Sequence, residues 1–193
     1  MIVTTWTLEM LRRPTRPPRP LPVGVHLELA TGVDPEYARF LYAAVGGPWH
    51  WSDRLDWSRD RWVDELAVHG TEFWIPYGDG VPLGYVQLQP QPVEDGTQVE
   101  IRYFGLLARA TGRGLGGALL ERAIDAAWSL PERSGVPPVT RVWVHTCSLD
   151  GPAARPNYEA RGLVLCRTDV HEEDVPAEAV GSWVATGGSA APA

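Results

Sequence analysis

The sequence predicts one α/β (α+β) domain, a mixed and mostly antiparallel sheet with helices packed on it, and three observations carry that prediction. Short runs rich in Val, Ile, Tyr, Phe and Trp flank tight-turn signals at Gly78-Asp79-Gly80 and Asp95-Gly96, the pattern of antiparallel hairpins. Residues 115–128 keep apolar side chains at helical spacing. Just before them a strand-like run enters a glycine-dense turn, with Gly112, Gly114, Gly116 and Gly117 opening that helix. At 193 residues the chain is long enough for one well-buried core and too short for two comfortable domains.

The elements follow in order. Ile2 to Met10 has the β-branched and aromatic content of a strand, and Arg12 to Pro20 then forms a stiff, extended connector. A basic proline run of this kind suits either an SH3-like module or a plain spacer crossing the domain surface, and nothing else in the chain speaks of signalling. Residues 1–22 are therefore set apart from a main domain at 23–175. Val23 to Leu29 alternates as a strand, and Asp34 caps a helix that has Pro35 at its first position. Tyr37, Phe40, Leu41 and Ala44 keep helical spacing there. Ser58 caps a second helix running to about His69, with Trp62, Leu66 and Val63 directed inward. Glu72 to Tyr77, Leu83 to Gln89 and Val99 to Leu107 make three antiparallel strands. After the turn, Leu115, Leu119, Ala123 and Ala127, with Leu120, Ile124 and Trp128, form a wide apolar stripe that packs a helix on the sheet. Val139 to Cys147 is a strand, Pro152 begins a helix shortened by Pro156 and ended by Gly162, and Leu163 to Val170 closes the sheet. Residues 176–193 form a tail that has little to bury from Gly187 onward and is expected to be partly disordered.

Composition narrows the function. The formal charge is −7, with 17 basic against 24 acidic residues, which repels an extended phosphate backbone and argues against nucleic acid as a partner. Two cysteines, Cys147 and Cys166, make neither a disulfide framework nor a zinc spacing, and no metal site is expected. No apolar run approaches the roughly 20 residues of a membrane helix, and the N-terminus lacks an export signal. The expectation is a soluble cytoplasmic protein, monomeric or homodimeric, with no membrane partner.

The turn is the informative segment. Glycines without a Cβ let backbone N–H groups converge on phosphate oxygens at the positive end of the following helix, and Arg113 adds charge-assisted hydrogen bonds. A P-loop would need Gly-Lys-Ser/Thr where Gly116-Gly117-Ala118 stands. A dinucleotide fold would need its glycines early in the chain and an acid about 20 positions on, and the next strand, near Arg141, carries none.

The segment resembles motif A of the GNAT superfamily, the acyl-CoA-dependent N-acetyltransferases, whose Gln/Arg-x-x-Gly-x-Gly/Ala reads here as Thr111-Gly112-Arg113-Gly114-Leu115-Gly116 with Thr111 as the exception. A shifted register from Arg109 satisfies the pattern formally, but the run from Leu115 to Leu120 looks like the family's helix opening in the first register. Asn157-Tyr158-Glu159-Ala160-Arg161-Gly162-Leu163 resembles motif B, and together the two motifs extend the resemblance over roughly residues 24 to 170. The resemblance implies a sheet of about six to seven strands splayed at its centre, about four flanking helices, and acetyl-CoA as cofactor. It places the pantetheine arm along Gly105 to Ala108, oxyanion stabilisation at a backbone N–H of Leu106 or Leu107, the diphosphate on Thr111 to Gly117, and Asn157 beside the arm.

The resemblance also assigns the chemistry. Tyr158 would protonate the departing thiolate; its plain alternative is a core tyrosine bonded to a carbonyl. Glu100, fourteen positions before Gly114, matches the general base of the superfamily's histone acetyltransferases. Strand alternation places Glu100 on one face with Gln98, Arg102 and Phe104, so Arg102 would lower its pKa and leave the base to act through water, or leave a mere ion pair. His145 and Cys147 share one side of a strand, but such neighbours lie about 7 Å apart, which leaves little weight for a thiol nucleophile. For the acceptor, Trp49, His50, Trp51 and Asp53, with Trp57, Asp56 and Tyr103, read either as an aromatic and anionic cup for a protonated amine or as a tryptophan-rich wall over the sheet. The expected acceptor is the primary amine of a small molecule, reached by direct transfer; a protein N-terminus or lysine, and a non-catalytic acyl-CoA sensor, are the alternatives.

Overall fold

The chain runs β1 (Ile2–Met10), β2 (Val25–Ala30), α1 (Pro35–Gly46), α2 (Arg59–Leu66), β3 (Glu72–Gly78), β4 (Val81–Pro82), β5 (Gly84–Val93), β6 (Gly96–Leu106), α3 (Leu115–Trp128), α4 (Leu130–Ser134), β7 (Val139–Cys147), α5 (Ala154–Glu159), β8 (Val164–Glu172) and α6 (Gly181–Ala185) in the computed structural model, which describes residues 1–190. The strands form one open sheet in the order β2-β3-β5-β6-β7-β1-β8, with β4 beside β3. Among the described residues β6 and β7 are its one parallel pair. The strand and helix counts exceed the expected ones only through short pieces, the two-residue β4 and the five-residue α4 and α6.

Local chemistry explains most boundaries. Asp34 Oδ1 accepts the Tyr37 N–H at 2.7 Å and Ser58 Oγ accepts that of Arg61 at 3.2 Å, so both helices begin at side-chain caps. Asp79 and Gly80 take positive φ values of 52° and 75°, which turns the chain tightly between β3 and β4. The inward assignment of Val63 is corrected, and Phe40 departs from the apolar stripe of α1. Phe40 is exposed and stacks on Tyr37 outside the core, because α1 buries Ala38, Leu41, Tyr42 and Val45 instead. Val63 is exposed as well, while Trp62 is buried.

Apolar side chains fill both sides of the sheet. One layer lies under α3 and joins Leu119, Ile124, Val86, Val99, Ile101 and Val144; the other, under α1 and α2, joins Leu41, Tyr42, Trp62, Ile75, Tyr85 and Tyr103. Strand β6 serves both layers through a bulge. Leu88 of β5 faces Ile101, whereas its neighbour Gln87 faces Tyr103, so Arg102 is an extra residue and the alternation reverses there. Arg102 and Tyr103 consequently share the α1–α2 side with Glu100, and Phe104 falls on the α3 side. The expectation that Phe104 shares a face with Glu100 is therefore overturned.

The ends of the chain also differ from expectation. β1, set apart with residues 1–22 by the sequence reading, lies inside the sheet between β7 and β8. The connector after it lies along the outer face of α3, where Arg13 bonds Asp125 at 3.0 Å and Arg19 bonds Glu121 at 2.8 Å. Within the tail, α6 packs on α1, with Ser182 Oγ donating to the Ala44 carbonyl at 2.7 Å and Ala185 buried. Of the run expected to have little to bury, residues 191–193 lie outside the described residues.

Candidate active site

The glycine turn forms the first part of the site. A 3₁₀ turn over Ala108–Ala110 follows β6, and Gly112 and Gly114 then take φ values of 73° and 74°, the left-handed region that glycine occupies without strain. Nothing stands within 4 Å of where a Cβ would sit on either, so backbone conformation demands these glycines and the space before them is open. Gly114 caps α3 without a side chain of its own, leaving the first-turn N–H groups facing outward, and buried Leu115 anchors the helix start. Arg113 is exposed beside them. Thr111 donates its hydroxyl to the Ala108 carbonyl at 2.8 Å, so the residue that departs from the motif closes the turn. Gly117 has another role: a Cβ there would run into the guanidinium of Arg161, so this glycine seats Arg161 against α3.

Beyond the turn the sheet opens. The β6–β7 ladder extends from Thr97 opposite Val139 to Glu100 opposite Trp143, and past that register the two strands no longer pair. The Leu107 N–H is spent on the Leu83 carbonyl at 2.9 Å, which removes Leu107 as an oxyanion donor. By the two-residue period of an antiparallel ladder, Gly105 also turns its polar groups toward β5, and Phe104 and Leu106 turn theirs into the opening. A cleft of about 580 Å³ occupies the opening. Thr111, Gly112 and Gly116 line one end, and Leu106, Phe104, Val144, Asn157 and Tyr158 line the middle.

Trp49, His50, Trp51, Asp53 and Tyr103 line the far end, which brings together five of the seven residues expected on the acceptor side and leaves out Trp57 and Asp56. Trp51 lies against Tyr42 and Tyr103, with ring centroids 5.6 and 5.5 Å away, and donates its indole N–H to Asp150 at 3.2 Å. The proposed cup is nevertheless smaller and less anionic than expected. Trp57 turns away to pack on Trp62 and to lie under the guanidinium groups of Arg54 and Arg61, and Asp56 is exposed outside the cleft. Asp53 accepts the Tyr42 hydroxyl at 2.5 Å and has Arg54 Nε 3.5 Å away. Arg54, a cleft residue no sequence pattern marked, lies over the Tyr103 ring at 5.0 Å and gives this wall a fixed positive charge.

Tyr158 and Glu100 hold different positions relative to the cleft. Tyr158 lines it from α5, with its ring edge-on to Phe104 at 5.9 Å. Burial, and then the carboxylate of Asp150, push its phenol above the ordinary value, so it keeps its proton at neutral pH. Glu100 is only 1 % exposed and does not line the cleft. Its Oε2 accepts from Arg102 Nη1 at 3.2 Å and from Gln91 Nε2 at 3.3 Å, and its Oε1 lies 3.1 Å from His145 Nδ1. Burial pushes this carboxyl up, but the His145 and Arg102 contacts outweigh it and hold Glu100 below the usual carboxylate range. The ion pair continues through Arg102 Nε to Glu65 at 3.0 Å and on to Arg54 at 3.7 Å, alternating in sign. Cys147 is pushed up by burial and by Asp150, the opposite of what a thiol nucleophile requires.

Asp150 is the main cleft residue that sequence reasoning missed. It accepts from Trp51, from the Thr146 hydroxyl at 2.5 Å and from the Cys147 N–H at 3.0 Å, joining the acceptor wall to β7. The loop Ser148-Leu149-Asp150-Gly151 falls between the predicted strand and the predicted helix and carries no assignment of its own; its one signal is a carboxylate beside a glycine, and a Cβ on that glycine would press on the Trp49 ring. Among the described residues, no cluster of three or more His, Cys, Asp or Glu side chains is placed to hold a metal ion, and no helix is long and apolar enough to cross a membrane.

Residues 35–163 match the acetyltransferase (GNAT) family, and the chain belongs to that family. Solved structures agree on the fold. A GCN5-related N-acetyltransferase from Sphaerobacter thermophilus superposes with a TM-score of 0.57 at 16% identity, covering 88% of this chain and 50% of its own. A GCN5-related N-acetyltransferase from Kribbella flavida gives 0.53 at 18% identity, over 86% and 56%. A tandem GNAT protein of the clavulanic acid biosynthesis pathway gives 0.55 at 16% identity, over 90% and 55%. The chain thus spans about half the length of each of these three structures. No curated protein sequence matches it.

Proposed function

We propose that the protein is a cytoplasmic acetyl-CoA-dependent N-acetyltransferase that moves an acetyl group to the primary amine of a small molecule by direct transfer. The observation that carries this reading is the continuity of the cleft from the open glycine turn, between the unpaired halves of β6 and β7, to the aromatic loop. An elongated thioester fits such a channel: N–H groups and positive-φ glycines at one end suit a diphosphate, and a strand edge in the middle suits an amide-bearing arm. Gly112, Arg113, Gly114 and the first turn of α3 would hold the phosphates, and Phe104, Leu106 and Asn157 the arm. When bound, acetyl-CoA supplies the activated acyl group.

The chain's own residues supply the rest. The Leu106 N–H faces the opening, where negative charge develops on the acyl oxygen. Tyr158, kept protonated by its surroundings, gives its proton to the departing sulfur. Trp49, Trp51 and Tyr103 exclude water from the reacting nitrogen, and the mixed charges of Asp53 and Arg54 suit a small amine that also carries a polar group. Glu100 is shut away from the cleft by its burial and serves the proton-accepting side through a neighbour.

Incubation with acetyl-CoA and a panel of small primary amines, alongside peptides with free N-termini or lysines, tests the reading through release of CoA. Release with small amines supports it, and release with peptides alone would move the acceptor class to proteins. Calorimetric binding without release for any amine would make the domain a sensor, and no binding at millimolar acetyl-CoA would overturn the assignment.

A further inference from the structure

We propose that His145, held by the carboxylate of Glu100, is the base that takes the proton from the acceptor amine; this deepens the N-acetyltransferase reading and rests on it. Glu100 lies at the last β6–β7 pair before the strands part, and its two oxygens have different surroundings. Oε2 is occupied by Arg102 and Gln91. Oε1 faces β7 and has no aligned donor among the described residues, although His145 Nδ1 stands 3.1 Å away with its N–H off the bonding line. A buried carboxylate oxygen requires a donor, and hydrogen bonds of catalytic groups often align only when substrate is bound.

The imidazole spans two environments. Its Nδ1 edge meets a carboxylate that is 1 % exposed, yet its side chain is 45 % exposed and lines the cleft. Donation from Nδ1–H to Glu100 selects the tautomer whose Nε2 carries a lone pair, so the free lone pair belongs to the nitrogen away from Glu100. An amine in the cleft reaches His145 without entering the protein interior, which it cannot do with Glu100. Nε2 takes one proton from the ammonium group, leaving a neutral amine, and passes that proton to solvent. The nitrogen lone pair forms the C–N bond as the C–S bond breaks and sulfur takes the Tyr158 proton. The second amine proton, shed as the amide forms, restores the phenol. Glu100 is thus a positioning residue, and the negative charge it keeps stabilises the imidazolium.

The test begins with ¹⁵N-labelled histidine NMR of the whole protein, which has five histidines, with His145→Gln identifying the signal. The neutral His145 ring is expected to carry its proton on Nδ1. In Glu100→Gln the amide oxygen stays with the two donors Arg102 and Gln91 and its NH₂ faces Nδ1, so the proton moves to Nε2. Both variants are expected to lose about 10²–10⁴-fold in kcat with an alkylamine. With an aromatic amine such as an aniline, which is already neutral at the assay pH, the loss is expected to be under about tenfold. Acetyl-CoA binding stays near wild type. An Nε2–H tautomer in the wild type, or equal losses for both acceptor classes, would overturn the role of His145. If His145→Gln does not fold, the tautomer in Glu100→Gln and wild type still decides. Wild-type protein that binds acetyl-CoA but acetylates no amine would remove the N-acetyltransferase reading and this role with it.

Discussion

Replacing Tyr158 with Phe separates a proton donor from a packing residue, because the two roles differ widely in size. The ring is 5 % exposed and packs edge-on against Phe104 at 5.9 Å, a contact that does not need the hydroxyl. No protein group bonds that oxygen among the described residues, so folding stability should change by no more than about 1 kcal/mol, the net worth of one ordinary hydrogen bond. Loss of a general acid, in contrast, lowers kcat about 10²–10⁴-fold, roughly 2.7–5.5 kcal/mol of barrier. Urea unfolding and calorimetric acetyl-CoA binding are expected to match wild type while single-turnover acetylation slows by at least a hundredfold. The raised pKa adds a pH signature. A phenol that holds its proton more tightly than usual does not ionise below about pH 10, so this group puts no basic limb on wild-type kcat under that value. Unchanged kcat, or a fall in binding equal to the fall in rate, would remove Tyr158 from the chemistry.

Two further predictions concern the acceptor wall and the buried carboxylate. Gly46 lets the Trp51 ring lie directly on α1, so Gly46→Ala displaces Trp51 and should raise acceptor KM roughly tenfold with acetyl-CoA KM within about twofold, as should Trp51→Ala; equal effects on both substrates would refute the wall. Glu100 has a folded pKa below its ordinary 4.5, so the stability its charge contributes is complete above that value and is lost as pH falls through the lower folded one. The unfolding free energy of wild type relative to Glu100→Gln should therefore shrink on acidification below about pH 4.5, and a growing difference would refute the sign.

What the sequence disclosed was local. Caps at Asp34 and Ser58, the tight turn at Asp79-Gly80, the left-handed glycines 112 and 114 and the stripe of α3 all depend on neighbours within a few residues, and each stands where the pattern placed it. What it concealed depends on partners distant in sequence. The bulge at Arg102 has no glycine to announce it, yet one extra residue moves Phe104 to the opposite layer. Arg54 looks like any loop arginine until Tyr103 and Trp57 flank it. The contact between Glu100 and His145 exists only because β6 and β7 are parallel neighbours joined through α3.

The position of β1 is the least legible element, and it explains how the sheet opens without losing a strand. A β7 strand that left β6 with nothing on its other side would expose two rows of backbone N–H and C=O groups, each costly if unpaired. Here the part of β7 that lines the cleft is bonded on its far side, with Val144, His145, Thr146 and Cys147 opposite Leu8, Thr7, Trp6 and Thr5. The N-terminal strand therefore holds the cleft-lining half of β7 in place while β6 turns away. Thr7→Pro tests this, since Thr7 sits between His145 and Arg167 and proline removes a ladder donor from a central strand. The expected cost is about 1–3 kcal/mol in urea unfolding, from the carbonyl left without its donor, with weaker acetyl-CoA binding at temperatures where the fold persists. A Thr7→Pro protein of wild-type stability and affinity would mean that β7 keeps its course without β1, and the opening would then need another cause.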